Sequence, residues 1–143
     1  MKNSIKKITI VFGSIALAVV VMSFINSPTI EQETKEWVVP AAVNKMKNPT
    51  KATAADIKIG ASLYAQHCKS CHGKTGEGDG SKAAELDTDC GDFTTEQFQS
   101  QTDGSLFYKT KEGRDDMPSF KKKLSEDEDV WLIVNFLRTL LVE

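Results

Sequence analysis

The residues Cys68-Lys69-Ser70-Cys71-His72 have the types and the spacing that allow covalent binding of a metal cofactor. Two thiols three positions apart on a turn can each add to one of the two vinyl groups of a haem, and the imidazole that follows then lies under the iron. The motif therefore predicts one covalently attached haem c, held by Cys68 and Cys71, with His72 as an axial ligand of the iron.

The same residues are compatible with three other kinds of site. A C-x-x-C pair also forms thioredoxin-type redox sites, but these need a βαβ context that the sequence does not indicate. Together with Cys90, the motif could bind zinc through three thiolates and an imidazole, although Cys90 has no second ligand beside it. A plain disulfide is the third alternative. The haem motif does not use Cys90. Three alternatives stay open for this residue: it is a small buried residue, it forms a disulfide with a partner chain, or it is a redox-sensitive thiol.

The sixth coordination position of the iron calls for a second side chain. The sequence has only two histidines, and His67 precedes the motif on the side of the proximal ligand, from which it does not easily reach the opposite haem face. Three of the four methionines lie in the export segment or the linker, namely Met1, Met22 and Met46. Met117, stiffened by Pro118, is therefore predicted as the distal ligand, and a thioether at that position raises the reduction potential.

The N-terminus has the pattern of an export segment. Lys2, Lys6 and Lys7 precede an uncharged stretch from Ile8 to Ile30, whose first 18 residues are almost all apolar. Such a run is typical of a signal peptide or, since no clear cleavage site follows, of an uncleaved membrane anchor; a buried core helix is the remaining alternative. Residues 1–30 are therefore predicted as signal peptide or anchor. The rest is expected in the periplasm or another extracytoplasmic space, either held at the inner membrane or released after cleavage.

The charge balance excludes one class of partner. The chain has 18 basic and 20 acidic residues. Because residues 1–30 contain three Lys and no acid, residues 31–143 carry 15 basic and 20 acidic side chains, a net charge of −5. Nucleic-acid binding needs net positive charge, so no nucleic-acid partner is expected.

The composition divides the remainder into a linker and a domain. Residues 31–52 are rich in proline and charge and are predicted as a linker, and residues 53–143 as the domain. The apolar patch Trp37-Val38-Val39-Pro40 within the linker either packs on the domain or forms a docking contact for a partner.

The domain pattern is all-α. Thr53 and Asp56 form a capping-box pattern before a helix over about 54–69, and residues 73–94 form a long loop with five glycines. Short helices are predicted over about 95–101 and from about 103 to Gly113. A last amphipathic helix, with a capping box at Ser125 and Glu128, follows the loop that carries Met117.

On these motifs the chain resembles the class I, mitochondrial-type cytochromes c over about residues 53–143. The resemblance rests on Gly60 and Tyr64, C-K-S-C-H-G at 68–73, G-E-G-D-G at 76–80, G-R-D-D-M-P-S-F at 113–120 and W-L-I-V-N-F-L-R-T-L at 131–140. It implies helices and long loops wrapped round one haem, His72 and Met117 as ligands, and a crossing of the first and last helices at Gly60 beside Phe136. Relatives often have Pro, near the carbonyl that holds the proximal imidazole, where this chain has Ser81.

An iron with two protein ligands has no open site, so the sequence predicts an electron carrier rather than an enzyme. Its partners would be donor and acceptor redox proteins, and the membrane if the N-terminal segment is uncleaved. Basic residues around Met117 and acidic residues in the earlier loop could steer a partner into one orientation. The alternatives are a haem-binding subunit of a larger oxidoreductase complex and, if the Met ligand is labile, a haem enzyme or gas sensor.

Overall fold

A computed structural model describes residues 36–142 of the chain. All of these except Glu36 belong to one compact unit, Trp37–Glu143. The α-helices among them are α1 (Ala41–Asn44), α2 (Ala54–His67), α3 (Lys69–His72), α4 (Glu96–Gln99), α5 (Asp103–Glu112) and α6 (Asp127–Arg138), with one short 3₁₀ helix at Ala83–Glu85. Between residues 36 and 142 there is no strand, only an isolated bridge from Arg114 to Met117, so the predicted all-α class is confirmed for this part of the chain.

The predicted signal or anchor segment lies outside the described residues. Within residues 36–142, no helix combines the length and the apolar character that crossing a bilayer requires.

Helix α2 begins where the sequence predicted. The Thr53 hydroxyl accepts a hydrogen bond from the Asp56 amide (3.2 Å), and the Asp56 carboxylate accepts one from the Thr53 amide (3.3 Å). This reciprocal pair satisfies two backbone donors that the first turn of a helix otherwise leaves without a partner. The capping box thus fixes the start of the helix that leads into the cysteine motif.

Helices α2 and α6 cross at Gly60. A Cβ atom added at Gly60 would lie 2.0 Å from the carbonyl oxygen of Leu132 and 3.1 Å from Cβ of Phe136. Only a residue without a side chain lets the two backbones approach so closely. One turn later, the ring of Tyr64 packs against Phe136 with 5.1 Å between ring centroids, and the crossing that the resemblance implied is therefore present.

Helix α6 forms the centre of the apolar core. Val130, Ile133 and Val134 are at most 1% exposed, and the ring of Trp131 stacks on Phe107 of α5 at a centroid distance of 4.2 Å. Burial of large apolar side chains at this spacing supplies the main stabilisation of the helix, at about 25 cal/mol per Å² of apolar surface.

The predicted capping box of α6 is wrong. The helix begins at Asp127, and its N-cap residue Glu126 makes no side-chain capping bond. Asp127 instead forms an ion pair with Lys111 of α5, and this carboxylate lies in the first turn, where the helix dipole favours negative charge. An ion pair between helices has taken the place of the local motif.

The C-terminal end of α6 is tied to the turn that precedes α5. The Arg138 guanidinium donates hydrogen bonds to the Asp103 carboxylate (2.7 and 2.9 Å) and to the backbone carbonyls of Gln99 (2.8 Å) and Gln101 (2.6 Å). A planar guanidinium can serve several acceptors at once, so one side chain fixes the position of α5 relative to α6.

Residues 37–52, which the composition predicted as linker, belong to the compact unit. The Asn48 side chain donates to the Trp131 carbonyl (3.1 Å) and to the Asn135 side chain (2.8 Å), and Asn135 donates to the Thr50 hydroxyl (2.9 Å). The Val43 carbonyl of α1 lies so close to Gly104 that an added Cβ would be 2.0 Å away. The described part of this segment is thus held on the domain by polar contacts with α6; the three-part division of the whole chain stays a prediction.

The crossing at Gly60 leads to a stability prediction. Ala at position 60 gains about 1 kcal/mol of helix propensity, but its Cβ requires the helices to separate, and overpacking of this kind costs about 3 kcal/mol. We therefore expect Gly60→Ala to lower the free energy of unfolding by about 2 kcal/mol in guanidinium titrations followed by circular dichroism. The control is Ser62→Ala, at an exposed position of the same helix, which should change it by less than about 0.5 kcal/mol; equal effects of the two variants would contradict the prediction.

Candidate functional site

The cysteine motif continues directly from α2. Cys68 is both the C-cap of α2 and the N-cap of α3, so the chain turns there and presents Cys71 and His72 one short helix later. Cys68 is 8% exposed, and burial, with a smaller contribution from nearby Cys71, raises its pKa to about 12. All three cysteines, including Cys90, are free thiols, so the predicted attachment residues are not consumed by a disulfide.

The glycine-rich segment after the motif is bound to α3 by its backbone. The amides of Gly78, Gly80 and Lys82 donate to the carbonyls of His72 (3.0 Å), Cys71 (3.1 Å) and Ser70 (2.8 Å), respectively. These are the carbonyls that the end of a helix leaves unsatisfied. A Cβ at Gly80 would lie 2.4 Å from the Ser70 oxygen, so the sequence G-E-G-D-G lets this segment lie flat against the motif.

The His72 imidazole is oriented by a backbone carbonyl. Its Nδ1 lies 2.8 Å from the carbonyl oxygen of Cys90, and donation from Nδ1 leaves Nε2 as the nitrogen with a free lone pair. The Phe93 ring packs on the imidazole at 4.5 Å between centroids. Burial lowers the pKa of His72, an effect only partly opposed by the Cys90 hydrogen bond, so the ring is neutral and suited to bind a metal.

This contact corrects the expectation that the segment near Ser81 supplies the carbonyl. In this chain the carbonyl belongs to Cys90, whose role the sequence left open. No sequence signal identifies it, because every residue has a backbone carbonyl and the contact depends on where the loop passes.

Met117 closes a tight turn. Its amide donates to the Arg114 carbonyl (2.9 Å), and the Arg114 amide donates to the Met117 carbonyl (2.8 Å). Gly113 has a φ of 70° and Asp115 a φ of 52°, a region in which glycine and aspartate are the better tolerated residues. The Asp116 carboxylate accepts a hydrogen bond from the Thr88 amide (2.8 Å), and this bond ties the turn to the earlier loop.

One cavity of about 500 Å³ brings the four predicted site residues together. Cys68, Cys71, His72 and Met117 all line it, and its volume lies within the usual range of cofactor and ligand sites. His67 and Cys90 also line it, whereas Met46, the other methionine in the described part, does not and is 39% exposed. A larger depression of about 720 Å³ between Pro49 and Trp131 contains none of these four residues.

Trp37 completes the rim of the cavity. The Arg114 guanidinium lies 4.5 Å and the Lys109 ammonium 5.6 Å from the centroid of its ring, which is the geometry of cation–π contacts. Of the two interpretations of the Trp37 patch, packing on the domain is the one that the structure supports for Trp37. Val38, in contrast, is 74% exposed.

The geometry fits a covalently attached haem better than the alternatives. Two free thiols, an imidazole with one nitrogen fixed and a thioether surround one cavity, and these are the groups that a c-type haem requires. Across residues 36–142, no three His, Cys, Asp or Glu side chains are grouped to hold a bare metal ion, so the zinc interpretation has no support there. The βαβ context of a thioredoxin-type site is likewise absent from these residues.

An all-α domain with this arrangement of residues is characteristic of a c-type cytochrome. Residues 55–137 match the family model described as "Cytochrome C oxidase, cbb3-type, subunit III", and because the match covers more than half of the chain, the chain belongs to that family. It is thus a cytochrome c, with covalently bound haem c and a role in haem-based electron transfer. The match does not extend to the narrower class I, mitochondrial-type assignment.

A search of solved structures finds a similar chain in the "Kuenenia stuttgartiensis reducing HAO-like protein complex Kustc0457/Kustc0458". The two are 28% identical with a TM-score of 0.60, and the similarity covers 68% of this chain and 50% of the other. This chain therefore spans about half the length of that neighbour. No curated protein matches the chain.

The different roles of the three cysteines can be tested by acid–acetone extraction. We expect the wild-type protein and Cys90→Ala to keep their haem in the protein fraction, because Cys90 contributes its backbone carbonyl, which alanine retains. Cys68→Ala or Cys71→Ala should impair maturation, and the double variant should hold no extraction-resistant haem. Loss of all haem from the wild type on extraction would show that covalent attachment is wrong.

Proposed function

We propose that the protein is a monohaem electron carrier in which Cys68 and Cys71 hold one haem covalently and His72 and Met117 ligate its iron. The observation that supports this most is that all four side chains line the same cavity. The haem supplies a one-electron couple at its iron. With both axial positions taken by protein side chains, no coordination site remains for a substrate, and the protein is a carrier rather than an enzyme.

The side chains would tune the couple in opposite senses. Donation from His72 Nδ1 to the Cys90 carbonyl fixes the tautomer and increases the basicity of Nε2, which favours ferric iron. The Met117 thioether favours ferrous iron and raises the potential. The surrounding apolar rings of Phe93 and Phe98, stacked at 4.3 Å, limit the access of water to the proximal side.

The partners would be a donor and an acceptor redox protein in the periplasm or another extracytoplasmic space, with the domain held at the inner membrane by residues 1–30 or released from it. The N-terminal sequence supports this location. Four basic side chains line the rim of the cavity, namely Lys82, Lys109, Arg114 and Lys123, together with the two acidic side chains of Asp89 and Asp116. Four basic and two acidic side chains give this lining a net charge of +2, while the net charge of residues 31–143 is −5. A rim opposite in sign to the rest of the domain supports docking of an acidic partner surface over the haem cavity.

A second candidate function is that of a haem-binding subunit in a larger oxidoreductase complex. The family description names an oxidase subunit, and the similar solved structure is a protein complex. The tagged full-length chain can be purified from membranes of the organism that produces it and examined by native mass spectrometry. This experiment distinguishes the complex subunit from the free carrier. A stoichiometric complex would favour the subunit, and a free monomer the carrier.

The proposed distal ligand is tested by Met117→Ala. We expect the variant to keep a covalently attached haem but to lose the methionine–iron charge-transfer band of the oxidised protein and to bind carbon monoxide when reduced. Its potential should fall, because the thioether that favours ferrous iron is gone.

The control is Met46→Ala, which removes an exposed methionine outside the cavity and should leave spectrum and potential unchanged. Carbon monoxide binding by the reduced wild type would contradict a stable Met117 ligand and favour the enzyme or gas-sensor alternative.

The charged rim leads to a prediction for association kinetics. If the basic rim steers the partner, the second-order rate of electron transfer should fall roughly tenfold or more as ionic strength rises from about 10 to 200 mM, because exposed charges are screened within a Debye length of about 8 Å at 0.15 M. Lys123→Gln should flatten this dependence, since Lys123 lines the rim. Stopped-flow measurements with the native partner check this, and a rate independent of salt would rule out steering.

A further inference from the structure

The loop between Thr88 and Gly91 contacts both segments that carry the proposed iron ligands. On one side the Cys90 carbonyl accepts from His72 Nδ1 (2.8 Å). On the other side the Thr88 amide donates to Oδ2 of Asp116 (2.8 Å), the residue that precedes Met117. Only two peptide steps separate Thr88 from Cys90, which span at most about 7 Å of chain.

This short segment is itself fixed. The Asp89 carboxylate accepts from the Gly91 amide (2.8 Å), an Asx turn that restricts the backbone around Cys90. Behind it, the Gly91 carbonyl lies against Gly78, where an added Cβ would be 2.8 Å from its oxygen. Because the backbone between them is restrained, a displacement of Thr88 also displaces the Cys90 carbonyl.

The Met117 side of the contact is equally tight. Two backbone hydrogen bonds close the Arg114–Met117 turn. Within that turn, the Asp116 side chain makes the hydrogen bond to the Thr88 loop. Hydrogen bonds from the side chain and the backbone of Thr88 hold the pKa of the Asp116 carboxyl below its usual value. Its neighbour Asp115, by contrast, pairs with Arg114 at 3.1 Å.

From this geometry we infer that Asp116 is a positioning residue that couples the two axial ligands, through a brace that runs from Met117 over Asp116, Thr88 and Cys90 to His72. The inference rests on the proposed His72/Met117 ligation. Through this brace, the exposed Asp116 carboxylate holds the Met117 turn and the His72 imidazole at fixed positions relative to each other. A change at Asp116 is felt at both ligands, although its side chain touches neither.

The test compares Asp116→Ala and Asp116→Asn with the matched control Asp115→Asn in the full-length holoprotein. Asp116→Asn and Asp115→Asn remove the same charge at adjacent positions, and asparagine also tolerates the positive φ of residue 115. Only the changes at 116 affect the hydrogen bond to Thr88. The readouts are the proton resonances of the Met117 methyl and the His72 ring, shifted by the iron, together with carbon monoxide binding by the reduced protein.

We expect Asp116→Ala to shift the resonances of both ligands and to raise the population that binds carbon monoxide about fivefold, the effect of losing an exposed hydrogen bond to a charged group. Asp116→Asn, which keeps an acceptor oxygen, should show a smaller change in the same direction, and Asp115→Asn should leave the His72 signals in place. If Asp116→Ala does not mature, the comparison of the two Asn variants decides.

Two results overturn the inference while leaving the proposed ligation intact. One is unchanged His72 signals in a variant at position 116 that alters Met117. The other is an equal effect of Asp116→Asn and Asp115→Asn, which would mean that charge alone acts. Absence of an iron-shifted Met117 methyl signal in the wild type would instead overturn the ligation itself, and the inference with it.

Discussion

The close approach of α2 and α6 at Gly60 is the constraint on which the rest of the domain depends. Because the Leu132 carbonyl occupies the space where a side chain would be, the two helices are in direct backbone contact there. This contact fixes the position of the C-terminal end of α2 relative to α6. Tyr64 then fits between Phe136 and the loop, where its hydroxyl donates to the Gly73 carbonyl at 2.8 Å. The position of the cysteine motif is thus set by packing that involves no cofactor atom, and burial of the rigid core of α6 maintains it.

The loops around the site are ordered by the need to satisfy backbone polar groups rather than by periodic packing. A buried amide or carbonyl without a partner costs about as much as a lost hydrogen bond, and α3 is too short to satisfy its own carbonyls. Amides of the segment from Gly78 to Lys82 donate to these carbonyls. The His72 imidazole in turn donates to the Cys90 carbonyl. In both cases the contact that completes the backbone also shapes the cavity, so loop order and site geometry have the same cause.

The sequence predicts the elements whose signals are local. The Thr53 capping box, the helix that runs into the motif and the α5 stop at Gly113 all depend on residues within one or two turns, and the structure contains each of them. Signals that depend on distant partners were weaker guides. At the start of α6, an ion pair between Asp127 and Lys111 is present instead of the capping box predicted at Ser125. The Asn48 contacts with α6 have no sequence signature. The Cys90 contact uses a backbone carbonyl, which every residue has. Motif chemistry is readable from a sequence because spacing encodes it, whereas the path of a loop is not.

The part of the chain outside the family match also contributes to the cavity. The match begins at residue 55, yet Trp37 lines the rim and lies under Arg114 of the Met117 turn. The segment that follows it is fixed on α6 through Asn48, so Trp37 is held in place from one side by polar contacts and from the other by cations. An indole in this position excludes water from one edge of the cavity while holding positive charge beside it. Trp37, in the segment that the composition predicted as linker, therefore forms part of the cavity lining beside the turn that carries the proposed distal ligand.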